Sequence, residues 1–240
     1  MNRERMLWFS LILAGMAAWG EEQPVVAWDF NRLENGQAVC TVEKYAADVI
    51  KAENVSLVPG KSGSAVSIHG EYKGRQTGGL TVRNFTFDFG SPFTVEALVK
   101  FDDGISRKHH REIFSIMDTE HGPGIRLEYY YDALVFSTGN GKETSQVKTN
   151  ANARRISPNA WHLLSVTYDG GKITLYCDGV ASAEKEIKIL PAQKTKSLSI
   201  GSYKNGLSYP LQGALDELKF HHVCKTSAQV AEQYVSIFGE

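Results

Sequence analysis

The chain has 240 residues, with 26 Lys or Arg against 27 Asp or Glu, so its formal net charge is −1. This near-neutral charge provides no electrostatic basis for binding nucleic acid or an anionic membrane surface. The length is enough for one β-sandwich domain, and two small domains are the alternative.

The first twenty residues have the pattern of a secretory signal peptide. The basic run MNRER precedes the apolar segment Leu7–Trp19, and Ala18 and Gly20 stand at the −3 and −1 positions of a cleavage site before Glu21. The alternative is a membrane anchor, but the apolar run is shorter than the ~20 residues that a spanning helix needs. We therefore predict a signal peptide over residues 1–20, one domain over residues 21–240, and no membrane span after cleavage. The mature protein is expected to be secreted, whether extracellular, periplasmic or cell-surface.

Short strand-like runs separated by Gly, Asn and Asp follow one another along the mature chain. The segment Val25–Phe30 begins the series, Ser64–Gly70 continues it, and Pro92–Phe101 alternates apolar Phe93, Val95, Ala97 and Val99 with the residues between them. Many short strands at regular spacing, with turn residues between them, are typical of an all-β sandwich or barrel.

Residues 162–189 predict a three-stranded meander with strands His162–Asp169, Lys172–Asp178 and Val180–Ile189. Asp169-Gly170-Gly171 and Asp178-Gly179 provide the turns, because glycine adopts the positive φ angles that tight hairpins need. Strand parity places Cys177 on the same side as Ile173 and Leu175, so we interpret it as a small buried hydrophobic residue.

The C-terminal segment differs from the rest, since residues 225–237 contain neither glycine nor proline. Thr226 and Gln229 have the spacing of a capping box, in which a hydroxyl and an amide bind the free N–H groups at a helix start. We predict one short helix over about Ser227–Tyr234.

Six segments together resemble the LamG-like jelly-roll family of the concanavalin A-like lectin/glucanase superfamily. They are VVAWDFN (25–31), GKSGSAVSIHG (60–70), PFTVEALVKF (92–101), NAWHLLSVTYDGGKITLYCDGV (159–180), SLSIGS (197–202) and LQGALDELKFHHVCKTSAQV (211–230). The resemblance covers roughly Val25 to Tyr234 and implies a two-sheet antiparallel jelly-roll sandwich. It also implies binding of glycans or protein partners. The sequence departs from the family pattern at His69, where Asp is common, at Cys177, and in the highly charged segment Asp102–Arg111.

Asp216 is the strongest candidate for a metal ligand. In the alternation of ALDELKF it shares a face with Leu218 and Phe220, and a carboxylate directed inward is costly unless it is hydrogen-bonded or binds a cation. Members of the resembled fold often carry a structural Ca²⁺ near the last strand, and Ca²⁺ takes oxygen ligands. Asp29 or Asn31 on the first strand could share the ion. The alternative is that Asp216 accepts loop N–H groups without a metal.

Tyrosines are the candidate ligand-binding residues. The run Tyr129–Tyr131 places at least one ring on each side of a strand, which makes Tyr130 a candidate, and Tyr203 and Tyr209 lie in the loop before the last strand. Aromatic rings can stack on sugars, although ordinary sheet packing is the alternative. For the adjacent His109 and His110 we expect a solvated loop, because neighbouring side chains point apart and cannot share a metal.

The odd number of cysteines implies at least one unpaired thiol or an intermolecular bond. With Cys177 interpreted as buried, the candidate disulfide is Cys40–Cys224, which would join the two ends of the domain.

We interpret the protein as a secreted, non-catalytic module that binds a glycan or a cell-surface or extracellular protein. The glucanases of this fold typically carry Glu-x-Asp-x-x-Glu on one strand, and the sequence has no such run. A diverged glycoside hydrolase and a structural module of the cell envelope are the alternatives.

Overall fold

The computed structural model describes residues 23–42, 45–72, 77–117, 119–150, 156–188 and 196–239. The predicted signal peptide lies outside these residues. Over the described ranges, no helix is both long and apolar enough to cross a bilayer.

The described chain forms two antiparallel sheets and a C-terminal α-helix, α1 (Ser227–Phe238). In chain order the strands are β1 Val26–Trp28, β2 Leu33–Glu34, β3 Gln37–Val39, β4 Ala46–Ile50, β5 Val55–Pro59, β6 Ser64–Ile68, β7 Gly79–Phe85, β8 Phe93–Phe101, β9 Arg111–Ser115, β10 Gly124–Tyr130, β11 Ala133–Gly139, β12 Thr144–Lys148, β13 His162–Tyr168, β14 Lys172–Cys177, β15 Val180–Glu186, β16 Lys196–Ile200 and β17 Gly213–His221.

Sheet A has the strand order β15-β14-β13-β8-β17-β6-β5, with β1 paired to β17, and sheet B has the order β12-β11-β10-β9-β16-β7-β4-β3-β2. The predicted two-sheet, all-β architecture is confirmed. Its core follows from strand alternation, since every second residue of β8 enters it as predicted. Large side chains that are fully buried include Trp28, Phe30, Phe85, Phe93, Phe101, Phe114, Phe136, Tyr168 and Phe220.

The predicted meander is formed by β13, β14 and β15. The carboxylate of Asp169 accepts the N–H groups of Gly171 and Lys172, which closes the first turn. Gly170 and Gly179 have φ angles of +104° and +75°, as the turn prediction requires. Cys177 is 1% exposed and belongs to the core.

The prediction that Asp216 shares the core face with Leu218 and Phe220 is wrong. The register of β17 against β8 shifts between Asp216 and Lys219, which is a bulge. Leu215, Leu218 and Phe220 enter the core, so Asp216, the neighbour of Leu215, points to the outer side of sheet A. An extra residue in one strand changes the face of every residue after it.

Helix α1 begins where the sequence predicted and extends to Phe238. Both hydrogen bonds of the Thr226–Gln229 capping box are present. The helix lies on the outer side of sheet A, where the hydroxyl of Ser227 is 3.0 Å from that of Tyr176 on β14.

The structure does not form the predicted Cys40–Cys224 disulfide. Cys40 is buried in the core just after β3. Cys224 lies beside Thr167 of β13, because the chain after β17 crosses β8, where the Thr94 hydroxyl donates to the Val223 carbonyl. The two ends of the domain are neighbours, but these two side chains are not.

Candidate functional site

Aromatic side chains from four separate segments meet on the outer side of sheet B. They come from the end of β10, from the loop before β9, from the loop between β16 and β17, and from the segment after β6. We call the group the tyrosine–histidine cluster; it comprises Tyr72, His109, His110, Tyr130, Tyr203 and Tyr209.

His110 is at the centre of the tyrosine–histidine cluster. Its ring stacks on Tyr130, with centroids 3.7 Å apart and planes 10° apart, and its other neighbour is Tyr209 at 4.6 Å. His109 stacks in the same way on Tyr72, at 3.9 Å and 6°. Tyr209 lies 5.5 Å from Tyr72 and therefore connects the two stacks.

A buried charged group lies beneath the rings. Arg126 of β10 donates to Glu112 of β9 at 2.9 and 3.0 Å and to Glu128 at 2.5 Å. Its guanidinium also lies 4.8 Å from the centroid of Tyr203, while His110 hydrogen-bonds to Glu128. Glu112 of β9 and the alternate residues Arg126 and Glu128 of β10 thus connect the stacked rings to sheet B.

Two buried carboxylates beside one guanidinium leave one negative charge in excess. Burial raises the pKa of Glu112 to about 8, against the lowering influence of Arg126, and the charge of Glu128 raises it further. Burial therefore favours the protonated form of Glu112. Arg126, Glu112 and Glu128 therefore support the tyrosine–histidine cluster without a large unbalanced charge.

The loop between β16 and β17 is fixed by Asn205, which has a positive φ of 54°. Its side-chain oxygen accepts the hydroxyls of Thr81 and Ser199 at 2.8 and 2.9 Å, and its N–H donates to Ser199 at 2.8 Å. These bonds hold Tyr203 and Tyr209 over sheet B.

The three tyrosines predicted from sequence, Tyr130, Tyr203 and Tyr209, are brought together in this cluster. His109 and His110 lie in a loop as expected, but their rings are half-buried and stacked on tyrosines rather than fully solvated. Sequence reasoning also missed Tyr72 and Arg126. The charged segment 102–111 was the available signal, since it carries the two histidines.

The predicted metal ligands gather around the turn of residues 60–64. Asp216 Oδ2 accepts the N–H groups of Lys61 and Ser62 at 3.0 and 3.2 Å. Asn31 Oδ1 accepts the N–H of Ser64 at 2.8 Å. The carboxylate of Asp29 instead accepts the N–H of Asn31 at 3.1 Å. The structure therefore brings Asp216 and Asn31 to one turn, with Asp29 beside Asn31.

One oxygen of the Asp216 carboxylate at this turn has no hydrogen-bond partner among the described residues. Asp216 is fully buried, and its Oδ1 has no hydrogen-bond partner in the described part of the chain. Burial raises the pKa of Asp216 to about 6, because its effect outweighs the lowering effect of the N–H of Ser62. A Cβ on Gly60 would lie 2.7 Å from Asp216 Oδ2, so glycine permits the close approach. Across the described ranges, no three His, Cys, Asp or Glu side chains form a metal-binding group.

His69, which stands where Asp is common in the resembled family, does not join this turn. Its Nε2 pairs with Asp102 Oδ2 at 2.8 Å and its Nδ1 lies 3.3 Å from the hydroxyl of Ser67. The family's carboxylate at this position is thus replaced by an imidazole with partners of its own.

Comparisons with known proteins agree with the fold. A family model described as the concanavalin A-like lectin/glucanases superfamily matches residues 73–231. No curated protein matches the chain by sequence.

Among solved structures, the chain resembles the binding domain of Paraclostridial Mosquitocidal Protein 1, with a TM-score of 0.69 and 14% identity over 90% of this chain and 52% of that one. It also resembles the binding domain of botulinum neurotoxin serotype C1, with a TM-score of 0.65 and 14% identity over 89% of this chain and 51% of that one. The chain thus spans about half the length of these structures. At this level of identity the likeness concerns the fold alone.

Proposed function

Because the chain belongs to the concanavalin A-like lectin/glucanase superfamily, we propose that it is a secreted, non-catalytic module that binds a glycan through the tyrosine–histidine cluster. The observation that carries this proposal is the convergence of Tyr130 and Tyr209 on His110, in a surface that remains partly open to solvent.

The chemistry of the cluster suits a sugar. The apolar faces of aromatic rings pack against the C–H faces of pyranoses, and polar groups at the edge of a site bind the hydroxyls. Tyr130, Tyr209 and His110 provide the rings, and the half-exposed Lys204 and exposed Asn205 lie at the edge. The buried ion pairs of Arg126 hold these rings in place before a ligand arrives, which limits the ordering cost of binding.

A protein partner is the second candidate. Solved structures with this fold include the botulinum neurotoxin DC binding domain in complex with SialylT and in complex with rat synaptotagmin II. Those complexes show what the toxin binding domain binds, and they are compatible with either class of partner here. We favour the glycan because the cluster is rich in stacked rings rather than in exposed aliphatic side chains.

The burial and pairing of Glu112 and Glu128 support a non-catalytic role. A retaining glycosidase needs two carboxylates about 5 Å apart that flank the substrate, one of them free to attack it. Glu112 and Glu128 are instead bridged by Arg126, and they are 0% and 2% exposed. Since neither can reach a sugar without the bridge opening, the pair supports a role in holding the cluster.

The test is a glycan array followed by titration of the best ligand against variants. Tyr130→Ala and Tyr209→Ala are each expected to weaken binding by about tenfold, since truncating a central aromatic contact typically costs more than 1 kcal/mol. Tyr234→Ala on α1 serves as the matched control, because that tyrosine lies on the other sheet. Equal affinities for all four proteins would contradict the proposed site, and retained binding to a protein partner alone would favour the second candidate.

We also propose that Ca²⁺ binds at the turn of residues 60–64. Asp216, whose buried Oδ1 has no other partner in the described chain, would be the charged ligand, with Asn31 and Asp29 as the neighbouring oxygen donors. When bound, the ion would neutralise Asp216 and stiffen the turn.

Thermal melting of metal-free protein tests this site. Excess Ca²⁺ is expected to raise the melting temperature at pH 7.5 relative to EDTA, because a ligand of the native state stabilises it. The rise should shrink at pH 5, where a proton on Asp216 competes with the ion, since the pKa of Asp216 is raised to about 6. Asp216→Asn should abolish it. A melting temperature that Ca²⁺ does not change at either pH would identify Asp216 as a hydrogen-bonding residue only.

A further inference from the structure

An arginine is buried at one end of the sandwich, in the space between the two sheets. Arg111 of β9 pairs with Tyr129 of β10, whose ring belongs to the core, and paired residues of neighbouring strands project from the same side of a sheet. Its guanidinium carbon lies 5.4 Å from the ring centroid of Phe101 of β8 and 5.5 Å from that of Tyr129. Arg111 is 6% exposed, so a guanidinium occupies a place where the core is otherwise apolar.

This guanidinium has few partners for a buried charged group. Nη1 donates to the carbonyl of Asp102 at 3.4 Å and Nη2 to that of Ile105 at 3.2 Å, both longer than the ~2.9 Å that is typical of such bonds. Nε has no partner, and Arg111 forms no ion pair with a carboxylate of the described chain. Most of its N–H groups therefore lack an acceptor. Buried charges are normally paired, so an anion from outside the chain would complete the bonding of Arg111.

A pocket of about 330 Å³ lies beside Arg111, in the size range of small-molecule sites. One wall is the loop between β8 and β9, which supplies both carbonyls that the terminal nitrogens bond. The guanidinium end of Arg111, rather than Nε, is thus directed toward the pocket. Its mouth is open to solvent, because the lining residues Asp103, Gly104 and Arg107 are exposed.

Three carboxylates also line the pocket, and they are engaged to different degrees. Asp102 pairs with His69 at 2.8 Å, and Asp132 lies 3.5 Å from Nε of Arg107. Asp103 forms no ion pair among the described residues, and its Oδ1 accepts the N–H of the next residue at 2.7 Å. One pocket therefore contains a cation without a paired anion and an anion without a paired cation.

The carboxylates are close enough to act on Arg111 without touching it. Burial lowers the pKa of Arg111, whereas the negative charges of Asp132, Asp102 and Asp103 raise it across a gap. A ligand group in that gap would lie between the guanidinium and the acidic mouth of the pocket.

The ligand class follows from these charges. A simple carboxylate would match Arg111, since a guanidinium binds two carboxylate oxygens as a fork. It would also be repelled by a lining that holds three carboxylates against two guanidinium groups. A simple ammonium ion would be attracted by Asp103, but it would add a second cation beside Arg111. A molecule that carries both charges avoids both difficulties.

The body of such a molecule is expected to be small. Phe101, Tyr129 and Ile156 line the pocket but are 1%, 5% and 5% exposed, so they present little apolar surface to a ligand. A long hydrophobic side chain would gain little from this lining, because the gain on burial scales with the apolar area removed from water.

We propose that this pocket binds a small zwitterion, such as a free α-amino acid with a short side chain, with its carboxylate on Arg111 and its ammonium group toward Asp103. None of the residues that line the pocket belongs to the tyrosine–histidine cluster. The site and the glycan surface can therefore fail independently.

Calorimetric titration and saturation-transfer NMR on the folded protein test the proposal, with glycine, L-alanine and L-serine as probes. Propionate is alanine without its ammonium group, and ethylammonium is alanine without its carboxylate, so the two are matched controls. At least one amino acid is expected to bind, and both controls should bind at least about tenfold more weakly than alanine, as expected for loss of one charged hydrogen bond.

Asp103→Asn tests the ammonium contact at an exposed position. The amide oxygen can still accept the N–H of the next residue, so the loop is expected to keep its shape, while alanine binding should weaken by about tenfold. Asp169→Asn is the matched control, because Asp169 is also exposed and accepts N–H groups in a turn, at the other end of β13. It should bind alanine like the wild-type protein.

Arg111→Lys tests the carboxylate contact, since lysine keeps the charge but loses the fork. Because this variant could fail to fold, its melting temperature is measured first, and Asp103→Asn keeps the proposal testable without it. If no amino acid binds the wild-type protein, the proposal is overturned. Equal affinities for alanine and propionate, or for wild-type protein and Asp103→Asn, would overturn the zwitterion. Tyr209→Ala should leave amino-acid binding unchanged, which separates this result from the test of the glycan surface.

Discussion

Asp178 connects two parts of the meander through one carboxylate. Its Oδ2 lies 2.8 Å from Nδ1 of His162, its Oδ1 accepts the N–H of Leu163, and its own N–H donates to the Leu163 carbonyl. His162 is 8% exposed, and its other ring nitrogen is 3.0 Å from the carbonyl of Ser157. The carboxylate therefore fixes both the turn between β14 and β15 and the start of β13.

Asp178→Ala should lower the free energy of unfolding by about 2 kcal/mol, because it leaves half-buried donors without an acceptor. Urea denaturation at pH 7 measures this. Asp169→Ala is the matched control in the other Asp-Gly turn, where the N–H groups of Gly171 and Lys172 are near solvent and can bind water. We expect a loss below about 1 kcal/mol there. Equal losses would show that His162 adds nothing to the role of Asp178.

At the scale of single residues, the sequence was informative about side chains whose partners are close along the chain. The Asp169 turn and the burial of Cys177 follow from local alternation and glycine positions. The sequence indicated three tyrosines of the cluster by residue type, but it gave no indication of the central position of His110. Its stacking partners, Tyr130 and Tyr209, are 20 and 99 residues away in sequence, and no local pattern encodes that distance.

At the scale of elements, strands and the helix were predictable because each has a periodicity or a cap of its own. The Thr226–Gln229 capping box lies within one helical turn, and the alternation of β8 is uninterrupted. The bulge in β17 was not predictable, because ALDELKF reads as a regular strand until its register against β8 is known. That single extra residue moves Asp216 out of the core and under the turn of residues 60–64, where it accepts the N–H groups of Lys61 and Ser62.

The bulge also explains why polar side chains of β17 meet polar groups of other segments at two places on sheet A. It turns Asp216 toward the turn that contacts Asn31, while Lys219 and His221 beyond it line a pocket beside Glu96 of β8. A strictly alternating β17 would direct one of these groups into the apolar core, where an ionised side chain is costly. The bulge therefore allows one strand to carry two polar sites on the same side of sheet A.

At the scale of the whole molecule, the buried carboxylates determine how stability depends on pH. The pKa of Glu112 is raised to about 8 and that of Asp216 to about 6, in both cases chiefly by burial. A raised pKa means that the folded state binds protons that the unfolded state releases. For Glu112 this stabilisation is complete below its ordinary pKa of 4.5 and is lost as the pH rises through 8. Glu96 acts in the opposite sense, since its neighbours His221 and Lys225 outweigh the effect of burial and lower its pKa, and its contribution is lost as the pH falls below 4.5.

The free energy of unfolding is therefore expected to be highest near pH 5 and to fall by roughly 3 kcal/mol toward pH 8. Urea denaturation at pH 5, 6, 7 and 8 in EDTA measures the profile. Glu112→Gln is the control, because an amide cannot titrate yet still offers an oxygen to Arg126, and the fall between pH 6 and 8 should shrink in this variant. Because the two proteins differ at this one titratable group, the difference between the two profiles isolates Glu112. Parallel profiles would mean that Arg126 keeps Glu112 ionised throughout, and the charged group beneath the tyrosine–histidine cluster would then carry its excess negative charge at neutral pH.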